Sequence, residues 1–166
     1  MEIIPLLKKE FRDEYETTKK FLVSFPTDKN DYSPHPKSMK LMPLATHIVE
    51  IFGWPEFIMK NENQNFEPGE YQPLLLTSGS ELLQKLEESY RKSSQTLDNM
   101  QEDELEGRWS MSVSGKVILD LSKYEAIRHA LSQIIHHRAQ LGVYYRLNDI
   151  PLPGSYGPSA DQQNDY

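Results

Sequence analysis

Residues 122–147 read SKYEAIRHALSQIIHHRAQLGVYYRL, and the fold follows from them. Ser122 with Glu125 three places on has capping-box spacing, a helix start written in sequence. Each helical residue advances about 100°. With Ile127 at zero, the side chains of Ile127, Leu131, Ile134, Arg138, Leu141 and Tyr145 fall within about 40° of one direction. That is one continuous seam over more than five turns. Asn148-Asp149, then Pro151 and Pro153, end the helix. A helix with one long apolar seam has to bury it against others, so the stretch predicts a helical bundle.

Upstream segments supply the partners. Pro5 suits a first helical turn, and Leu6, Phe11, Tyr15, Thr18, Phe21 and Leu22 repeat at helical spacing until Pro26. Residues 26–37, rich in proline, aspartate and serine, read as a loop holding an exposed His35. From Ser38, positioned as a cap, Leu41, Leu44, Ala45, Ile48, Ile51 and Phe52 form a second helix to about Gly53. Trp54-Pro55 then begins a bend or a short helical piece. Residues 61–77 read as a long surface connection containing Pro68 and Pro73. Ser78-Gly79-Ser80-Glu81 is another capping box, opening a third long helix through Leu82, Leu83, Leu86, Tyr90, Ser93, Leu97 and Met100. Trp109–Leu119, with Ser114-Gly115 inside it, predicts a short hairpin. The expected architecture is an all-α, antiparallel four-helix bundle with long connections, in one domain over 1–166 with an irregular tail from about 151.

Composition narrows the functional classes. The 166 residues include no cysteine, which removes disulfides, thiolate metal sites and cysteine nucleophiles and points to a reducing, cytoplasmic setting. No stretch approaches the roughly 20 apolar residues of a membrane span, and the mean hydropathy is −0.65. No secretion signal opens the chain. A net charge of −7 without a basic stripe opposes nucleic-acid binding. The acidic cluster Gln101-Glu102-Asp103-Glu104-Leu105-Glu106 reads as a solvated turn between elements.

The same angular arithmetic sorts the histidines. His137 lies about 80° to one side of Ile127, with Tyr144 close to its direction and Gln133 about 40° further out, while His129 and His136 point almost directly away. Adjacent helical residues diverge by about 100°, so His136-His137 cannot chelate as a pair. On the second helix His47 sits on the flank, about 120° from Leu41. Ligands on facing helices, two of them one turn apart, are how bundles hold metals. Here the pair one turn apart is Gln133 and His137. By spacing alone these are equally the hydrogen-bonded histidines of an ordinary core margin, and Arg138 is a charge snorkelling to the bundle end.

The segment His129-Ala-Leu-Ser-Gln-Ile-Ile-His136-His137-Arg138-Ala139-Gln140-Leu141, with Tyr144-Tyr145-Arg146-Leu147, Pro151, Pro153 and Tyr156-Gly157-Pro158-Ser159, resembles the signature of DinB-like proteins. Ser38-Met39, Leu44-Ala45-Thr46-His47-Ile48 and Gly53-Trp54 resemble that family's second helix. The resemblance implies a four-helix bundle, commonly a homodimer, with a divalent metal (zinc or nickel) held by three histidines. His47 and His137 match two of them. Gln133 stands where the pattern has the third, and an amide oxygen is a weaker donor than imidazole for these ions. His129 is about 12 Å from His137 along the axis and cannot replace it. Glu50, one turn from His47, reads either as an acceptor for its ring nitrogen or as a solvated surface residue. The resemblance implies a metal-dependent hydrolase or a thiol-dependent transferase acting on a small molecule. The alternative is a non-catalytic dimer with a degenerate metal site.

Overall fold

Ser93 explains why the second helical segment is two helices and not one. In the computed structural model, which describes residues 2–162 apart from 70, 71 and 73, α2 (Leu41–Ile51) ends before Phe52 and Gly53, and α3 (Trp54–Lys60) starts afresh. Pro55 in the first turn of α3 has no N–H to continue the α2 ladder. The Phe52 carbonyl accepts instead from Ser93 Oγ at 2.7 Å, and Ser93 Oγ in turn accepts from the Glu56 N–H at 3.2 Å. One fully buried serine thus serves a donor and an acceptor that the break would leave unpaired.

Three long helices surround this kinked pair. The first is α1 (Ile4–Val23), the second α4 (Gly79–Asn99) and the third α5 (Lys123–Leu147). Both predicted capping boxes are present: Ser78 and Glu81 open α4, and Ser122 and Glu125 open α5. The start of α2 is different. Ser38 does not cap it; the Leu41 and Met42 N–H groups donate to the carbonyls of Tyr32 and Asn30 in the preceding loop. Along α1 the inward residue of the first turn is Leu7, and Leu6 is exposed. The α5 seam is buried throughout, from Ile127 to Tyr145, against α1, α2 and α3.

The expected all-α four-helix bundle needs correction, because five helices and a three-stranded mixed sheet make up the described residues. The hairpin is there as β2 (Arg108–Val113) and β3 (Lys116–Ser122), antiparallel across Ser114 and Gly115. Their φ values of 49° and 73° are those of a type I′ turn, whose twist suits adjacent strands. The remaining strand, β1 (Asn63–Phe66), pairs in parallel with the other edge of β2, inside what the sequence marks as a surface connection. Asn-Gln-Asn-Phe has neither alternation nor β-branched residues. It becomes a strand because β2 offers unpaired backbone groups alongside it. Pro73 and the last four residues of the expected tail lie outside the described residues. No described helix is long and apolar enough to cross a membrane.

Candidate functional site

Packing of α2 against α5 brings two flanks together, and the imidazoles of His47 and His137 meet there with ring centroids 4.8 Å apart at 76°. Both rings are partly buried. Burial holds His47 below the ordinary histidine value, and His137 nearby adds to this. Burial lowers His137 as well, the bond to Gln140 working against it and His136 with it. Neutral rings keep a lone pair, the form in which imidazole binds metal.

Gln140 sets the tautomer of His137. Its Oε1 lies 2.9 Å from His137 Nδ1, and its Nε2 lies 3.1 Å from His136 Nε2. With the amide oriented in this way, His137 Nδ1 donates to Gln140 while Gln140 donates to His136, leaving the lone pair on His137 Nε2. The sequence reading gave Gln140 no role. Its signal was the i, i+3 spacing from His137.

Gln133 is engaged elsewhere, with its Nε2 3.4 Å from His129 Nε2, one turn back along α5. His129 is half-buried and His136 exposed. Glu50 is half-buried beside the pair, and its Oε1 accepts from the Leu74 N–H at 3.3 Å. Exposed His35 accepts from the Lys37 N–H at 3.1 Å through its Nδ1.

Two imidazoles sharing a tetrahedral zinc would hold their centroids about 5 Å apart, given Zn–N bonds of about 2.0–2.1 Å. His47 and His137 fit that requirement. A catalytic zinc takes three protein ligands, and among the described residues no three His, Asp or Glu side chains cluster closely enough to hold an ion. The centroid separation matches that of two ligands to one ion, and the described residues offer no third His, Asp or Glu to complete a site.

The pair opens on a cavity of about 1010 Å³, large for a small-molecule site. Trp54, Phe57 and Ile58 of α3, Phe66 of β1, and Trp109 and Met111 of β2 form much of its wall. The sheet, of which the sequence gives the hairpin but not β1, thus forms one side of the cleft.

Arg138 also departs from its expected role. It does not snorkel; it is buried at 2% exposure, with Nη1 2.5 Å from Glu14 Oε2 and 3.1 Å from Thr18 Oγ1. Tyr156 from the tail donates to Glu14 Oε1 at 2.7 Å and accepts from Arg138 at 3.2 Å. Arg138 and Glu14 each need the other to be buried at all.

A sequence model of the DinB family matches residues 5–164. The chain belongs to the DinB family. Two solved DinB-like proteins share the fold of this DinB-family chain. One, from Bacillus subtilis, superimposes with a TM-score of 0.69 at 19% identity, over 93% of this chain and 99% of its own. The other, from Bacillus cereus, also gives 0.69, at 16% identity over 89% and 94%. No curated protein matches the sequence.

Proposed function

We propose that this DinB-family protein is a cytoplasmic, homodimeric small-molecule-binding protein with a degenerate divalent-metal site, in which His47 and His137 are the retained ligands and Gln133 occupies the place of the third. One observation carries this reading: two imidazoles meet at 4.8 Å on the wall of a large cleft while the Gln133 amide is bonded to His129. Two imidazoles bind zinc or nickel weakly, and an amide oxygen drawn away from His129 adds little. When bound, such an ion would supply Lewis acidity in the cleft. The residues of the chain contribute the binding wall, the fixed His137 tautomer and exclusion of water.

A second reading, a metal-dependent hydrolase or thiol-dependent transferase, draws support from the free lone pair on His137 Nε2, which Gln140 maintains. Calorimetric titration with zinc and with nickel separates the two. The degenerate site predicts weak binding by the wild type, affinity higher by about tenfold or more in Gln133→His, and loss of that gain in His47→Ala/Gln133→His. Wild-type affinity as high as that of Gln133→His would favour the catalytic reading. Equal affinities in all three proteins would remove His47 and position 133 from any shared site.

A further inference from the structure

We propose that the cleft beside His47 and His137 takes an uncharged, largely apolar small molecule, and that Glu88, outside the wall, disfavours acids by holding Lys85 and Lys92. The proposal rests on the reading of the cleft as a small-molecule site and needs no metal. Much of the wall is carbon. Trp54, Phe57 and Phe66 offer aromatic faces, and Met39, Leu74 and Met111 add adaptable apolar side chains. Phe57, Met39 and Leu74 are 36%, 43% and 41% exposed, apolar area that an occupant would take out of water. At about 1010 Å³ between helices and sheet, the space has the size of a small-molecule site and is no flat face for a protein.

The charged groups in the wall are engaged and balance one another, two ammonium groups against two carboxylates. Lys92 Nζ lies 2.6 Å and Lys85 Nζ 3.5 Å from Glu88, Glu56 pairs with Lys60 at 2.6 Å, and Glu50 accepts from Leu74 N–H at 3.3 Å. An acid entering the cleft would give up hydration and find both lysines already taken by Glu88; an ammonium group would find both carboxylates bonded. A neutral apolar molecule gives up little and covers the aromatic wall. A second cavity, of about 390 Å³ between α3, α4 and the 102–106 turn, has Lys60, Gln95, Thr96, Asn99 and Glu104 in its wall and no aromatic ring. An apolar probe therefore distinguishes the two.

The chain has two tryptophans, Trp54 and Trp109, and both line the cleft, so energy transfer from them reports occupancy. The probes are neutral N-phenyl-1-naphthylamine, its 8-sulfonate, and a derivative carrying an aminomethyl group, an ammonium at neutral pH, on the phenyl ring. At low ionic strength, wild-type protein should bind the neutral amine about tenfold or more tightly than either charged form. Glu88→Gln frees both lysines and should raise sulfonate affinity about two- to fivefold, leaving the neutral amine unchanged. Phe57→Lys should weaken the neutral amine; if it fails to fold, Met39→Lys, at another exposed wall position, should do the same. A charged form bound as tightly as the neutral amine would overturn the selection for an uncharged molecule and leave the cleft as a small-molecule site. Sulfonate affinity unmoved by Glu88→Gln would overturn the role of Glu88. Binding of no probe, or binding insensitive to both wall substitutions, would overturn the small-molecule reading as well.

Discussion

Arg138 and Glu14 make one buried unit with Tyr156, joining α5, α1 and the tail. Removing one partner of a buried ion pair strands the other charge in low dielectric, at a cost of about 3–5 kcal/mol. Arg138→Met should therefore lose about that much stability in urea unfolding, and Arg138→Met/Glu14→Met should recover most of it. A double variant as unstable as the single would mean that packing, not the stranded charge, sets the cost. The histidine pair predicts a pH dependence. Both folded-state values lie below the ordinary 6.5, so between them and 6.5 the unfolded chain binds more protons than the folded one. Stability in metal-free buffer should then rise with pH through that window, level off above about 6.5, and fall on acidification. Melting temperatures of wild type and His47→Asn/His137→Asn, compared from about pH 5 to 7.5, check this: the variant should show the flatter profile.

At the scale of elements, three helix starts use two different devices. Ser78 and Ser122 each accept from the N–H of a glutamate three residues on, and each glutamate bonds back. The expected cost of Ser78→Ala or Ser122→Ala is about 1 kcal/mol. Ser38→Ala should change stability by less than about 0.5 kcal/mol, since the carbonyls of Tyr32 and Asn30 cap α2. Chemical denaturation of the three variants measures all of these, and a Ser38→Ala loss equal to the others would contradict the backbone cap. Where a signal lies within four residues, as in a capping box or the Ser114-Gly115 turn, the sequence could be read directly. The cap of α2 could not be read, because its acceptors lie nine and twelve residues before the N–H groups they serve.

The whole molecule raises assembly first. The proposed homodimer predicts a light-scattering mass twice the 19.3 kDa of the chain across micromolar concentrations; the monomer mass throughout would exclude it. Four long helical segments, two capping boxes, the hairpin, the α5 seam and the flanking directions of His47 and His137 were determined by the sequence alone. Each depends on a local period or spacing that the chain carries wherever it goes. Tertiary structure alone decided the rest. β1 exists because β2 presents an edge to a polar segment. The α2–α3 break is signalled by Trp54-Pro55, but its stability comes from Ser93, some forty residues away, which bonds to both sides of it. Arg138 is buried because Glu14, 124 residues earlier, meets it there. Gln133 can face either along its flank towards His137 or back towards His129. Helical angle allows both, and only the packing around the side chain chooses, since hydrogen-bond partners depend on the neighbours that folding supplies.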